Sequence, residues 1–365
     1  MSWGNTLKLT IFGESHGAAI GAVLEGLPAG ETVNMDGILE QMARRAPGKD
    51  LSSTPRKEND RPEILSGILN RKTTGAPLCA VIANTDIHSS DYAELRNIPR
   101  PGHADYPALL RYHGFNDMRG GGRFSGRMTA PLVFSGAVCR QILKRRGISI
   151  GAHVLTIHGV RDTPFNPVTV SAGLLDRLST CCFPTVSPEA ETAMRAEIES
   201  ARQSLNSVGG IVECAATGLP AGAGGPLTEG VESLLSPLLF AIPACKGVEF
   251  GAGFGAADLF GSEDNDSYYF DGETVKTRTN NAGGILGGIT TGMPLIFRTV
   301  FKPTPSIAKE QDSVDLAERK NTKLAVHGRH DPCIVPRAVA AVESAAAVCL
   351  LDLMLTYHLI GGERT

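Results

Sequence analysis

Histidine, aspartate, serine and arginine side chains stand between glycines in four short segments of the sequence. Residues 13–17 read Gly-Glu-Ser-His-Gly, residues 100–105 read Arg-Pro-Gly-His-Ala-Asp, and residues 328–332 read Gly-Arg-His-Asp-Pro. Residues 119–127 read Arg-Gly-Gly-Gly-Arg-Phe-Ser-Gly-Arg. Glycines let the backbone approach a ligand closely, and such loops hold reactive side chains at a surface rather than in a core. We therefore expect the four segments to form one site.

Positive charge is concentrated around residues 119–127. Residues 100–146 contain nine basic and two acidic side chains, whereas the whole chain has a net charge of −3. Arg119, Arg123 and Arg127 directly precede a predicted helix, so guanidinium groups, backbone N–H groups and a helix N-terminus could converge on phosphate or carboxylate. Nucleic acid is disfavoured as the anion, because only 5% of the residues are aromatic and no nucleic-acid-binding signature is present.

His16 and His103 are the candidate proton carriers. Both lie in glycine-flanked turns, and imidazole titrates near neutral pH. His103 stands two residues before Asp105 and near Arg100, so it could remain cationic beside a phosphate group.

Three segments also match other catalytic motifs in part. Residues 13–17 fit the Gly-x-Ser-x-Gly motif of serine hydrolases, with Ser15 as the nucleophile, although only about ten residues precede the motif. Residues 121–128 approach a P-loop, but Arg127 and Met128 replace its Lys and its Ser or Thr. Residues 251–256 resemble a dinucleotide fingerprint but lack a clear βαβ unit, so we interpret them as a tight turn. A serine hydrolase remains an alternative.

The other composition signals restrict the class of protein. The eight cysteines are scattered among mostly apolar neighbours without a Cys-x-x-Cys pair, which predicts buried free thiols. No His-Glu-x-x-His run or spaced carboxylate cluster predicts a metal site. No apolar run approaches the ~20 residues that cross a bilayer, and the first residues lack the apolar stretch of a secretory signal. We expect a cytoplasmic protein.

The sequence repeats itself weakly. Residues 15–20, followed by Gly-Leu-Pro-Ala-Gly at 26–30, align with residues 207–212, followed by the same five residues at 218–222. Residues 64–68 and 74–78 resemble 285–289 and 291–295, and Arg127 with 137–139 resembles Arg337 with 347–349. Three matches in the same order predict one domain over residues 1–365 with two related halves, approximately 1–150 and 205–358.

Each half has the pattern of strands followed by one long helix. Short apolar runs predict strands over 18–24, 78–82, 210–216 and 295–300, and Ala- and Leu-rich segments predict helices over 128–146 and 335–358. A charged stretch over 189–205 predicts a solvent-exposed helix bridging the halves. The last helix is apolar nearly all round, so it needs cover on both sides. We predict an α+β fold, a layered sheet-helix-sheet sandwich with pseudo-repeated halves and long buried central helices.

Taken together, these segments resemble the chorismate synthase family. The similarity runs from Thr10 to about Glu343 and covers residues 13–17, 54–58, 63–67, 100–106, 119–127, 246–249, 282–288, 302–306 and 328–332. The resemblance implies a lyase that eliminates phosphate from 5-enolpyruvylshikimate 3-phosphate (EPSP) in a 1,4 sense and gives chorismate, the last common step of the shikimate pathway. It also implies a need for reduced FMN without net redox change, a homotetramer, and NADPH only if the enzyme reduces its own flavin.

The resemblance also implies roles for individual residues. His103 would protonate the departing phosphate, His16 would manage the flavin N1 proton, and Asp331 with Ser15 would receive a proton through flavin N5. The predicted substrate-binding residues are Arg45, Arg123, Arg127 and Arg337. The predicted flavin-binding residues are Arg123, Phe124, Ser125, Ala244, Gly287, Lys302, Pro303, Thr304, Pro305, Ser306 and Arg329.

The sequence departs from the family pattern within and directly after residues 119–127. Phe124 and Met128 stand where the family has Ser and Glu. A homologue that binds flavin or another anion without turnover is therefore a second alternative.

Overall fold

The structure is a computed structural model and describes residues 2–48, 60–85, 97–326 and 331–360. The helices of the described residues are α1 Met35–Arg45, α2 Asp105–Arg111, α3 Thr129–Lys144, α4 Ala172–Leu178, α5 Pro188–Gln203, α6 Val231–Phe240, α7 Gly261–Asp264 and α8 Val335–Thr356. Their strands are β1 Ser2–Trp3, β2 Lys8–Gly13, β3 Ala19–Glu25, β4 Glu63–Ser66, β5 Ile68–Leu69, β6 Lys72–Thr73, β7 Leu78–Ala83, β8 Ser149–Ile157, β9 Val160–Arg161, β10 Gly210–Thr217, β11 Cys245–Phe250, β12 Tyr268–Asp271, β13 Thr274–Thr277, β14 Ile285–Leu286, β15 Ile289–Thr290, β16 Leu295–Phe301, β17 Gln311–Asp315 and β18 Lys320–Leu324.

The first sheet is antiparallel and has the strand order β1-β2-β3-β7-β4. Apolar residues alternate along its strands, and on β7 this places Leu78, Ala80 and Ile82 on one buried face. Because successive side chains of a strand point to opposite faces, this alternation means that one face of the sheet is buried. Helix α3 packs against that sheet.

The second sheet is also antiparallel, with the order β11-β16-β10-β8-β9. Eight of the nine residues of β8 are buried, and only Thr156 is partly exposed. A strand buried on both faces needs cover on both sides of its sheet. Helix α8 covers one side, and the apolar residues of α4 cover the other.

Helices α3 and α8 pack on each other between the two sheets, which confirms the predicted sheet-helix-sheet sandwich. Their approach is close, because a Cβ atom on Gly136 of α3 would lie 2.2 Å from the Cβ of Ser344 on α8. All residues of α8 from 338 to 354 are buried. Contrary to the sequence-based expectation, this 22-residue helix is long and apolar enough to cross a membrane by length and composition, but it lies inside the core.

A charged residue on the apolar helix α8 ties several elements together. Glu343 is 2% exposed and pairs with Arg44 of α1 at 2.5 Å and with Arg140 of α3 at 3.1 Å. It also accepts a hydrogen bond of 2.9 Å from the backbone N–H of Ala152 on β8. Burial alone would raise the pKa of Glu343, but the two guanidinium groups outweigh it and lower that pKa.

Corresponding strands occupy corresponding places in the two sheets. Strands β3 and β7 neighbour each other in the first sheet as β10 and β16 do in the second, and each half ends in a central helix. In each half a threonine hydroxyl also donates to the proline carbonyl within the repeated Gly-Leu-Pro-Ala-Gly segment. Thr73 donates to the carbonyl of Pro28 at 2.5 Å, and Thr290 donates to that of Pro220 at 2.7 Å. These similarities support the predicted internal repeat, which stays a prediction.

Helix α5 differs from the solvent-exposed bridge that its charges predict. Its residues Ala190, Met194, Ile198 and Ala201 recur at helical spacing and are buried, and the helix packs on β8 and β9. Only the opposite face is exposed, so α5 is an amphipathic layer on the second sheet.

All eight cysteines lack a disulfide, as predicted, and five of them are buried. Cys79 and Cys181 are partly exposed and Cys182 is exposed, so the predicted burial holds for most of the thiols and fails for these three.

Candidate functional site

A cavity of about 540 Å³ opens where loops of the first half meet loops of the second half. Seven cationic side chains line it: Arg45, Arg100, Arg123, Arg127, Lys246, Lys302 and Arg337. Among the described residues, its only acidic lining residue is Asp331. The cavity therefore favours a ligand with several negative charges.

The glycine-rich segment after α2 separates two imidazoles. Gly120, Gly121 and Gly122 have φ angles of 60°, 83° and 52°, a region that glycine adopts more readily than other residues. A Cβ atom on Gly120 would lie 2.4 Å from the ring of His16, and one on Gly121 would lie 3.3 Å from Nε2 of His103. Glycine at both positions therefore lets one short loop contact both histidines.

Ser15 holds that loop through hydrogen bonds to its backbone. Its hydroxyl lies within hydrogen-bonding distance of the carbonyls of Arg119 at 3.1 Å and Gly120 at 3.0 Å, and its backbone N–H donates to the carbonyl of Gly122 at 3.3 Å. Ser15 and His16 are both buried, behind Gly120 rather than on the cavity wall. The hydroxyl of Ser15 thus donates to backbone carbonyls, which does not favour a serine nucleophile.

His103 lies on the cavity wall and is held by a buried ion pair. Its Nδ1 is 2.6 Å from Oδ1 of Asp105, and Arg100 contacts the same carboxylate at 2.7 Å through Nε and 2.8 Å through Nη2. Burial alone would raise the pKa of Asp105, but hydrogen bonds from Arg100 and His103 lower it far below its usual range. Because a carboxylate only accepts, Nδ1 of His103 carries a proton and Nε2 is the nitrogen that can exchange one.

Arg45 and Arg127 share one carboxylate behind the cavity wall. Nη2 of Arg45 lies 2.7 Å from Oδ2 of Asp60, and Nη1 of Arg127 contacts Oδ1 of the same residue. Arg127 also donates to the side chain of Asn84 at 3.0 Å and to the carbonyl of Ala83 at 3.3 Å. Arg45 is the last residue of α1, so the C-terminus of this helix and the end of β7 together set the two guanidinium groups.

Arg337 and Asp331 form a second ion pair at the start of α8. Nη1 of Arg337 is 2.5 Å from Oδ2 of Asp331, and Nε of Arg337 donates to the backbone carbonyl of Arg45 at 2.9 Å. This last contact connects the N-terminus of α8 to the C-terminus of α1. The pair leaves a carboxylate facing the same cavity as His103.

The second half contributes a short segment after β16. Nζ of Lys302 donates to the carbonyl of Gly102, and the hydroxyl of Ser306 accepts from Arg100 at 3.1 Å, so this segment contacts the loop that carries His103. Burial, with the charge of Lys246 as a smaller cause, lowers the pKa of Lys302 below that of an ordinary lysine. Two neighbouring ammonium groups of this kind favour a phosphate between them.

Most of the predicted site residues lie around this cavity. The lining includes His103, Asp331, the four predicted substrate-binding arginines, Phe124, Ser125, Ala244, Lys302, Thr304, Pro305 and Ser306. Ser15 and His16 lie behind Gly120, and Pro303 is exposed between lining residues. Gly287 lies in the turn between β14 and β15 and is not a lining residue. Arg329 lies outside the described residues.

Several lining or supporting residues were not predicted as part of the site. Asp60 and Asn84 hold arginines through contacts that join distant parts of the chain, and no local pattern marks them. Phe240 at the end of α6 and Lys246 also line the cavity. A stretch of similarity over 246–249 marked Lys246, but nothing marked Phe240.

A sequence profile of chorismate synthase matches residues 7–355. The chain belongs to the chorismate synthase family. It is 45% identical over 359 residues to a chorismate synthase of Dehalococcoides mccartyi, and the alignment covers 98% of both chains. It is 46% identical over 354 residues to one of Thermococcus kodakarensis, which covers 96% of this chain and 97% of that one. A crystal structure of chorismate synthase superposes with a TM-score of 0.76 at 27% identity, covering 99% of this chain and 95% of that one.

Membership in the chorismate synthase family confirms the predicted lyase activity and its place in the shikimate pathway. The superposition with a solved chorismate synthase agrees with the α+β sandwich described above. The serine hydrolase alternative finds no support in these relatives or in the contacts of Ser15.

Proposed function

We propose that this cavity binds EPSP beside reduced FMN, and that its own side chains carry out the 1,4-elimination of phosphate that yields chorismate. The observation that carries this assignment is the combination of seven cationic lining residues with His103, whose imidazole is paired with a buried carboxylate. EPSP has two carboxylates and a phosphate, so a strongly cationic cavity neutralises it in a partly water-excluded site.

The arginines bind and orient the substrate in this proposal. Arg45, Arg127 and Arg337 are held by carboxylates and backbone carbonyls, so their planar groups present a fixed arrangement of N–H donors. Arg123 is exposed, and none of its side-chain nitrogens has a partner within the described residues. It is therefore the guanidinium most ready to take up an anionic group of the ligand.

His103 acts as the general acid for the departing phosphate. Asp105 accepts a hydrogen bond from Nδ1 and orients the ring, so that in this proposal Nε2 gives its proton to a leaving oxygen at the cavity. Asp331 supplies a carboxylate that can hold a proton at Oδ1 or Oδ2, and its contact with Arg337 fixes its position at the cavity. His16 acts from behind Gly120, where Ser15 fixes the intervening backbone.

The residues present fit a phosphate-bearing planar cofactor. Lys246 and Lys302 provide charge for its phosphate, and Phe240, Ile334 and Ala338 provide apolar surface for its ring. When bound, reduced FMN supplies electron density to the substrate ring and recovers it, so that no net oxidation occurs. The side chains that would hold it are Arg123, Phe124, Ser125, Ala244, Lys302, Thr304, Pro305 and Ser306, with Gly287, Pro303 and Arg329 as further candidates.

The remaining assignments rest on the resemblance to the family. We propose a cytoplasmic homotetramer, and NADPH enters only if the enzyme reduces its own flavin. Neither assignment changes the roles given to the residues of the cavity.

An anaerobic assay tests the proposed function. The purified protein is mixed with chemically reduced FMN and EPSP, and chorismate absorbance and free phosphate are followed together. We expect both products in equal amounts and none without reduced flavin. Phosphate release without chorismate, or FMN binding without either product, would refute the assignment. Rapid labelling of Ser15 by a fluorophosphonate would instead favour a hydrolase.

A further inference from the structure

We propose that Asp60 is a positioning residue, which holds Arg45 and Arg127 in the arrangement that receives an anionic group of the substrate. The inference rests on the proposed function, because it concerns the same cavity. It adds a residue that no sequence motif marked and that does not itself line the cavity.

The geometry of Asp60 is that of a bridge between two arginines. Its side chain is only 2% exposed, and its two oxygens contact different guanidinium groups. Oδ2 lies 2.7 Å from Nη2 of Arg45, and Oδ1 contacts Nη1 of Arg127. Both arginines line the cavity, and their side chains are 2% and 6% exposed. One carboxylate therefore fixes one end of each guanidinium from behind the cavity wall.

The charges explain why such a bridge is needed. Two buried guanidinium groups that contact one carboxylate repel each other, and burial weakens the screening by water. The single negative charge of Asp60 offsets part of that repulsion but leaves a net charge of +1 on the three groups. A phosphate or carboxylate of the substrate can add a counter-charge from the cavity side, because both guanidinium groups line the cavity.

Removing the charge of Asp60 could also strengthen substrate binding, so the direction of the change in affinity decides the test. As an anion, Asp60 repels the substrate, so its removal would strengthen binding if charge alone mattered. If positioning matters more, its removal lets the guanidinium groups move apart, and a shift of about 1 Å in a catalytic site can cost about 10²-fold in rate. The two views predict opposite changes in the dissociation constant of EPSP.

The experiment compares Asp60→Asn with a matched control, Glu31→Gln. Glu31 also bridges two arginines, Arg145 and Arg146, but outside the cavity. For each variant, the dissociation constant of EPSP is measured by calorimetry with oxidised FMN present, and kcat and KM are measured with reduced FMN. Thermal unfolding and the dissociation constant of FMN report whether the fold is intact.

We expect Asp60→Asn to raise the dissociation constant of EPSP at least ten-fold and to lower kcat/KM about 10²-fold, with FMN affinity nearly unchanged. Glu31→Gln should behave like the wild type. An unchanged or lower dissociation constant for EPSP in Asp60→Asn would overturn the proposal.

A second variant keeps the test decisive if Asp60→Asn fails to fold. Asp60→Glu keeps the charge but displaces the carboxylate by one methylene, so we expect a several-fold rise in the dissociation constant of EPSP. Wild-type affinity in Asp60→Glu would then overturn the positioning role. The binding measurement needs no turnover, so an inactive wild type would count against the proposed function and leave the readout for Asp60 in place.

Discussion

At the scale of single residues, the site depends on glycines that permit contacts no other residue would allow. The backbone between Arg119 and Arg123 runs between two imidazoles, with His16 against Gly120 and His103 against Gly121. His16 is held by its buried position behind the loop, whereas His103 is held by its contact with Asp105. The proposed acid therefore faces the cavity directly, whereas the ring of His16 lies behind Gly120.

Replacing the proposed acid should slow the reaction without removing the flavin. His103→Ala leaves the arginines and lysines in place but deletes the Nε2 proton donor, so we expect turnover to fall by about 10²–10⁴-fold. Stopped-flow measurement of phosphate release checks the rate, and fluorescence titration of FMN checks that the cavity is intact. Near-normal turnover would remove His103 from the mechanism.

A methyl group on the glycine-rich loop should disturb His16. In Gly120→Ala the new Cβ would lie 2.4 Å from the imidazole, at a φ of 60° that is also strained for alanine. We expect kcat/KM to fall about 10²-fold, because a displaced catalytic group loses its orientation. Gly147→Ala is the control, since it has a φ of 79° and open space around the new Cβ. Equal kcat/KM in the two variants would show that contact with His16 does not matter.

Site residues in glycine-flanked segments were predictable, and those joined by distant contacts were not. His103, Asp105 and Arg100 lie within six residues, so their proximity follows from the sequence alone. Asp60 and Arg127 are 67 residues apart, and their contact depends on where β4 begins relative to α3. No periodicity or local motif encodes that distance.

At the scale of elements, apolar runs predicted the strands and central helices to within about two residues. The predicted strand over 18–24 is β3, and the predicted helix over 335–358 is α8. Helix α5 was placed well in sequence, but its buried face was missed, because its few apolar residues are spaced among many charges. The strand β8 had no separate prediction, although it forms the centre of the contacts with α8.

A buried imidazole between two carboxylates ties β8 and β10 to the turn after β9. His153 is fully buried, with Nδ1 2.8 Å from Asp162 and Nε2 3.0 Å from Glu213. Burial alone would lower the pKa of His153, but hydrogen bonds to the two carboxylates outweigh it and raise the pKa. The same contacts lower the pKa of Asp162 and of Glu213 against the effect of burial. The cluster is therefore an imidazolium flanked by two carboxylates.

This cluster predicts how stability depends on pH. Because the folded pKa of His153 is raised, its contribution is complete below its unfolded pKa of about 6.5 and is lost as pH rises through the folded pKa. The carboxylates contribute above their unfolded pKa values near 4, so the contribution of the cluster is largest at about pH 5–6. We expect His153→Gln to lower the free energy of unfolding by about 3–5 kcal/mol in that range.

Urea unfolding at several pH values checks this prediction. The wild type should lose more stability than His153→Gln between pH 6.5 and 9, because only the wild type releases this proton. His158→Gln is the control, since that imidazole pairs with Glu197 on the surface. Parallel curves for the wild type and His153→Gln would mean that His153 does not change its charge in this range.

At the scale of the whole molecule, the two predicted halves contribute different groups to the cavity. The first half supplies both histidines and three of the four predicted substrate arginines, and the second supplies Ala244 and the segment from Lys302 to Ser306. The halves meet through Arg100 and Ser306, and through Arg337 and the carbonyl of Arg45. The weak sequence repeat predicted two halves, but the relative placement that unites these groups comes from the packing of α3 against α8.

The lowered pKa of Lys302 predicts that the proposed flavin site is sensitive to pH. Its pKa is lowered by burial and by Lys246, whereas a bound phosphate would stabilise the charged ammonium and raise that pKa. FMN binding should therefore take up a proton, and its affinity should fall as pH rises through the pKa of free Lys302, below the ordinary 10.5.

We expect Lys302→Gln to weaken FMN binding about ten-fold at neutral pH and to flatten this dependence. Fluorescence titration across pH 7–10 measures both effects, with Lys276→Gln, an exposed lysine paired with Asp271, as the control. Wild-type affinity and pH dependence in Lys302→Gln would place the phosphate of FMN elsewhere in the cavity.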